Sequence, residues 1–274
     1  MAEVTTRPQT AKRGTFVAAA TRLRSVAVAT FAGLLCGAVA LGVGSRLAMR
    51  VVALVGGDAD AGKETDAGFT VGDVTAVTLF LAFLGGAAGT FGGMLYAAMR
   101  RRLAWAGRWR GLAFGGLVLG IFGSPLIEGS NPDFAEFGIP IVNVALFAVL
   151  FLFFGILIAP VYDDVQRAVA PPSTTIAGNA LFAVEGAGML LLVPATAIVM
   201  AALIADGGDA MKVLLMLAIF AYLVIVQQLP SLARRFRPAM AGARRREIIM
   251  SIIPFAPPVA IGIALDVREL LAIF

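Results

Sequence analysis

Residues 74–98 read VTAVTLFLAFLGGAAGTFGGMLYAA, a run without a single charged side chain. The hydrocarbon core of a bilayer is about 30 Å thick and a helix rises about 1.5 Å per residue, so about 20 apolar residues suffice to cross it. The same run places Gly85, Gly89 and Gly93 four residues apart. On a helix they share one face and leave it as nearly bare backbone. Small residues at this spacing let two helices approach closely in lipid, where no water-driven collapse holds helices together. This segment therefore predicts a helix that crosses a bilayer and a face on which a second helix can lie.

Six more stretches have the same apolar character: 25–44, 111–127, 141–162, 181–205, 213–229 and 248–265. The last carries Pro254, Pro257 and Pro258, so a broken or re-entrant helix is an alternative there. Alternating strand-like segments are lacking. The expected fold is an all-α, polytopic transmembrane bundle of about seven spans. Residues 1–20 read as a disordered basic tail, and 21–274 as the transmembrane domain. That domain divides softly into a glycine-rich front (21–138) and a bulkier rear (139–274). In the front, Gly33 and Gly37 of the first span, and Gly111, Gly115, Gly116 and Gly120 of the third, extend the small-residue pattern. In the rear, Phe147, Phe151, Phe153 and Phe154 crowd the fourth span, either facing lipid or forming a wall of large side chains.

Composition agrees with the spans. Of 274 residues, 59% are hydrophobic and 14% charged, and mean hydropathy is +0.91. A soluble domain is typically about 45–50% apolar and about 25% charged. Arginine outnumbers lysine nineteen to three, and Ala, Gly and Val abound. That balance resembles membrane proteins of high-GC bacteria and implies a multi-pass protein of the inner membrane.

The charges are sorted along the chain. With the N-terminus in the cytoplasm and seven spans, seventeen of the 22 basic residues fall in cytoplasmic segments and twelve of the 17 acidic residues fall outside. This is the bias that orients membrane proteins. The weak point is 161–180, where Arg167 stands against Asp163 and Asp164. The net charge of +5 is explained by topology and not by nucleic acid, because the basic residues are split among loops that flank spans. Arg244, Arg245 and Arg246 form the tightest cluster and could hold anionic lipid.

An ionisable residue inside a span is costly and therefore a functional candidate. Glu185 is the clearest, about one turn into the fifth span. Gln227, Gln228 and Asn179 lie near the same level, with Asp163 and Asp164, and together outline an inner polar site for a cation or proton. The competing expectation is a carboxylate that reaches the interface or pairs with a loop arginine. Arg46 and Arg50, four apart at the outer end of the first span, run against the charge bias. With Asp73, Glu128, Asp133 and Glu136 they outline either a salt-bridge cluster or an anion-binding vestibule. The face of Gly85, Gly89 and Gly93 serves packing within the chain or, alternatively, a homo-oligomer or a larger membrane complex.

Several chemistries are excluded. There is no histidine, and the single cysteine, Cys36, sits in an apolar stretch, so no disulfide and no thiolate cluster can form within the chain. The three lysines lie outside the spans, which rules out a retinal Schiff base in the last helix. No nucleophile–base arrangement and no phosphate-binding loop is present. No cofactor is expected, and an enzyme is disfavoured. Two functions remain: translocation of a small solute or ion, with proton coupling as an option, or a non-catalytic scaffold, sensor or accessory subunit.

Overall fold

The computed structural model describes residues 7–56, 77–123, 139–169 and 256–273, with a few isolated helical positions between 186 and 218. Within these residues the elements are helical. They are α1 (Arg7–Gly37), a π-helical segment (Ala38–Val43), α2 (Gly44–Gly56), α3 (Val77–Met99), a 3-10 segment (Leu103–Trp109), α4 (Arg110–Phe122), α5 (Pro140–Ala168) and α6 (Ala256–Ile273). Three helical stretches among them are long and apolar enough to cross a membrane: Ala20–Gly56, Leu79–Met99 and Pro140–Ala168.

The fold is organised by the seam between α1 and α3. A Cβ added at Gly37 would lie 2.6 Å from the Cα of Gly89, one at Gly93 would lie 2.7 Å from the Cα of Gly33, and one at Gly85 would lie 2.7 Å from the carbonyl oxygen of Gly37. Rising numbers on α1 meet falling numbers on α3, so the helices are antiparallel, and backbone touches backbone. Two threonines are buried beside the seam without polar cost. Thr30 Oγ1 donates to the Val26 carbonyl at 2.9 Å, and Thr90 Oγ1 to the Gly86 carbonyl at 3.1 Å. Each hydroxyl is satisfied within its own helix, as a lipid environment requires.

The π-helical segment has a cause in the glycine spacing. Ala29, Gly33 and Gly37 are four apart, but the next small residue on the seam is Gly42, five further on. An α-helix turns about 100° per residue, so a five-residue step would carry Gly42 roughly 140° away from Gly37. A π turn closes on the fifth residue instead. The Gly44 N–H indeed donates to the Val39 carbonyl. Gly42 thereby stays on the seam, where its missing Cβ would meet the Leu81 carbonyl oxygen at 2.9 Å.

A second glycine contact joins α4 to α5. A Cβ at Gly111 would lie 3.2 Å from the Cα of Ile156, and one at Gly115 would lie 2.7 Å from the Phe151 carbonyl oxygen, again an antiparallel pair. Gly155 supplies the facing gap. Between the two seams sits an aromatic core. The rings of Tyr96 and Phe114 meet edge-on at 5.2 Å, and those of Tyr96 and Tyr162 at 5.6 Å, a favoured geometry for aromatic quadrupoles. Phe154 and Phe151 are buried in this core, whereas Phe153 is exposed. The aromatic-rich helix thus shows one face to its neighbours and the other outward. Cys36 is buried in the same core.

The structure departs from the sequence expectations at several points. Helix α1 begins at Arg7, where a disordered tail over 1–20 was expected. Residues 7–20 include Gln, Lys, Arg and several Ala, good helix formers that extend a helix already nucleated by the span. The first apolar helix does not end near residue 44 but runs on through α2 to Gly56. The last described helix, Ala256–Ile273, runs eight residues past the expected end at 265, and residues 248–255 lie outside the described residues. Pro257 and Pro258 lie within this described helix, and Pro254 lies outside the described residues. Gly120 of α4 packs against Ile263 of α6, and Gly123 against Asp266, which makes α4 and α6 parallel. Gly116, expected among the packing glycines, is exposed, and a Cβ there would meet nothing within 4 Å among the described residues. It follows Gly115 by one residue, so it is turned by about 100° away from the face that meets α5.

Candidate functional site

Both described ion pairs and a cluster of hydrogen bonds between helices gather at one end of the bundle. The antiparallel seams bring together the N-terminal part of α1, the connection between α3 and α4, and the C-terminal end of α5. Eight described arginines lie there: Arg22, Arg24, Arg100, Arg101, Arg102, Arg108, Arg110 and Arg167.

Arg24 reaches across from α1 and donates through Nη2 to the carbonyls of Gln166 and Val169, the latter at 2.6 Å. The last carbonyls of a helix have no partner within it and carry the negative end of its dipole, so a guanidinium is a natural cap. One turn further in, Ser25 Oγ and Tyr162 Oη share a hydrogen bond of 3.1 Å. Arg100, just past α3, donates to Gln166 Oε1 at 2.8 Å and lies 4.9 Å above the Tyr162 ring. Arg110, the first residue of α4, pairs with Asp163, and Arg167 pairs with Asp164 within α5. The Arg110–Asp163 pair is about one-third exposed on each side and joins two helices, whereas Arg167–Asp164 is largely exposed. Exposed pairs of the second kind contribute little to stability. Partial burial pushes the Arg102 guanidinium below its ordinary value. The Tyr96 hydroxyl, deep in the aromatic core, has no hydrogen-bond partner among the described residues.

Arg24, Asp163, Gln166 and Arg167 line an open concavity of about 420 Å³ at this end. It offers two guanidiniums, one carboxylate and one amide, a set suited to holding helix ends and small polar groups. Among the described residues no group of three or more Cys, Asp or Glu side chains could hold a metal ion.

Glu185, Gln227, Gln228 and Asn179 lie outside the described residues, as do Glu128 and Asp133 of the expected outer cluster and Arg244, Arg245 and Arg246. The outer pair is split. Arg46 is 7% exposed and sits 4.0 Å from Met49 Sδ, whereas Arg50 is exposed. The helix continues for ten further residues beyond Arg46, and Asp73 and Glu136, the other acids expected around it, also lie outside the described residues. Asp163 and Asp164, expected near the inner polar level, are each met by an arginine, while the other groups of that level lie outside the described residues. Sequence reasoning missed two of these contacts: Arg110, which pairs with Asp163, and Arg24, which caps the end of α5, looked like topology signals alone. Their position at the very ends of apolar runs, opposite an Asp-Asp pair at the end of another, was the available clue. It also missed Asp266, which reads as an outer-side acid but packs against Gly123.

The Gly85, Gly89 and Gly93 face is covered by α1 of the same chain, so any association between chains must use other surfaces. No family model, no curated protein and no solved structure matches the chain.

Proposed function

We propose that the chain is a multi-pass protein of a bacterial inner membrane, with seven spans and a cytoplasmic N-terminus, that translocates a small solute or ion, alone or as a subunit. In this reading α1–α5 form a fixed frame. The segment between residues 170 and 255 carries the binding groups Glu185, Gln227, Gln228 and Asn179, and proton coupling resides at Glu185. The observation that supports a fixed frame is the α1–α3 seam. Helices in backbone contact at Gly33, Gly37, Gly85, Gly89 and Gly93 cannot slide or rotate without a steric clash. Rearrangement then falls to the segments outside the seam. The gathering of arginines at one end supports the cytoplasmic placement of that end, and Arg244, Arg245 and Arg246 would add an anionic-lipid contact on the same side.

The test is reconstitution into liposomes loaded with pH- and ion-sensitive dyes, comparing wild type with Glu185→Gln. Glu185→Gln removes the titratable carboxyl at nearly constant size, so the pH dependence of flux should flatten. An unchanged pH profile removes Glu185 from the mechanism. A second reading, a non-transporting scaffold or accessory subunit, draws on the same seam, since the described helices are built for packing. The absence of flux for every ion tested would select it.

A further inference from the structure

The connection between α3 and α4 is anchored at both ends and free in the middle. Leu103 is buried in the core at one side, and at the other Gly111 is buried and Arg110 is paired with Asp163. Between them Gly107 adopts φ 53°, which lets the chain reverse and turn its side chains outward. Trp105 and Trp109 are 63% and 57% exposed, and Arg101 and Arg108 are exposed beside them. The Arg108 guanidinium lies 5.0 Å above the Trp109 ring, which holds cation and indole together. From Asp73 to Glu128 the chain has no acidic residue. Among the described residues the acidic charge beside this connection is Asp163, and that goes to Arg110.

We infer that residues 101–109 form a strap that binds the headgroup of an anionic phospholipid, with Arg101 and Arg108 on the phosphate and Trp105 and Trp109 seated at the level of the glycerol backbone. The connection follows directly on a helix long and apolar enough to span, so it lies at the membrane–water interface, where tryptophan is enriched. A guanidinium presents paired donors that match a phosphate, and no described carboxylate pairs with Arg101 or Arg108. The inference rests on the membrane reading above and adds a lipid-selective site that composition did not reveal.

The test needs no label, because Trp105 and Trp109 are the two tryptophans of the chain. The full chain is reconstituted in vesicles of phosphatidylcholine with a fixed fraction of phosphatidylglycerol, and bromine is placed on the acyl chains of one lipid or the other. Each basic residue near the surface favours anionic lipid by roughly fivefold, so the strap should hold phosphatidylglycerol about tenfold or more over phosphatidylcholine at low salt. Brominated phosphatidylglycerol should then quench tryptophan emission more strongly than an equal fraction of brominated phosphatidylcholine. The difference should vanish in R101Q/R108Q and shrink in wild type as salt is raised. The salt titration stands alone should the variant fail to fold. Equal quenching by both lipids in wild type overturns the site, as does a preference that survives in R101Q/R108Q. Quenching by neither lipid overturns the membrane reading instead, so the two failures are distinguishable.

Discussion

The glycine seam makes a sharp prediction about one carbon atom. In Gly89→Ala the new Cβ would lie 2.5 Å from the Cα of Gly37 and 2.9 Å from its nitrogen. Ordinary contact begins near 3.4 Å, so α1 and α3 must separate by about 1 Å. Neither neighbour can yield, because both are backbone atoms of a helix. Overpacking of this kind costs about 1–3 kcal/mol, partly offset by up to about 1 kcal/mol from the better helix propensity of alanine. For a chain of this size the expected loss is about 2–6 °C in melting temperature. Gly116→Ala is the matched control: the same change in another apolar helix, at an exposed position where a Cβ meets nothing described within 4 Å. It should leave the melting temperature unchanged or raise it slightly. Cys36 provides the readout. It is the single cysteine and is 2% exposed, so a maleimide that fluoresces on reacting with a thiol reports the opening of the bundle. If Gly89→Ala and Gly116→Ala melt together, the seam is not what holds these helices.

Three further outcomes follow from the polar end. Arg24→Met removes the donor to the Gln166 and Val169 carbonyls at the end of α5 and should cost about 1–2 kcal/mol, with partial rescue by Arg24→Lys, in the same thiol melting assay. Tyr162→Phe and Ser25→Ala each break one hydrogen bond and should each cost about 0.5–1.5 kcal/mol, while the double variant should cost little more than either alone. Additive losses would show that the two hydroxyls do not depend on each other. In topology labelling, the buried Cys36 should stay silent to a membrane-impermeant maleimide, so Met240→Cys can be placed in an otherwise native chain. It should react from the cytoplasmic face, and reaction from the outside alone would break the seven-span map.

The features that could be read from the chain are those set by periodicity. Gly85, Gly89 and Gly93 declare a bare helix face by spacing alone, and the uncharged run around them declares the solvent. What spacing cannot declare is which helix fills the face. Gly116 is indistinguishable from Gly115 and Gly120 as a small residue, yet among the described helices only Gly115 and Gly120 meet a neighbour. Helix ends were misplaced where charge was taken as a boundary. Arg46 was read as the outer limit of the first span, but a guanidinium on a long stem can be accommodated inside a bundle, and the helix continues beyond it. At the polar end, Asp163 and Asp164 were visible as a pair, but Arg110, which pairs with Asp163, and Arg24, which caps the Gln166 and Val169 carbonyls, come from other helices. Charge bias along the chain accounts for where those arginines lie and says nothing of what they hold.

The π-helical segment carries the strongest statement that the small-residue pattern dictates local backbone form. If it exists to keep Gly42 on the seam, then deletion of one residue within it should abolish the need for it. Val39 is half exposed and lies within the segment. Without Val39, the residue that is now Gly42 would follow Gly37 by four positions, and a regular α-helix would hold both on the face that meets α3. The rotation of everything downstream, including buried Arg46, would be kept. Deletion of Leu35, comparably exposed but two residues before Gly37, has the opposite effect. It leaves Gly33 and Gly37 three apart and rotates one side of the seam by about 100° against the other. The chain lacking Val39 should therefore melt within a few degrees of wild type. The chain lacking Leu35 should expose Cys36 at every temperature tested. Equal damage from the two deletions would mean that the π turn answers to something other than the glycine register. Greater damage from loss of Val39 would mean that the widened turn is itself required.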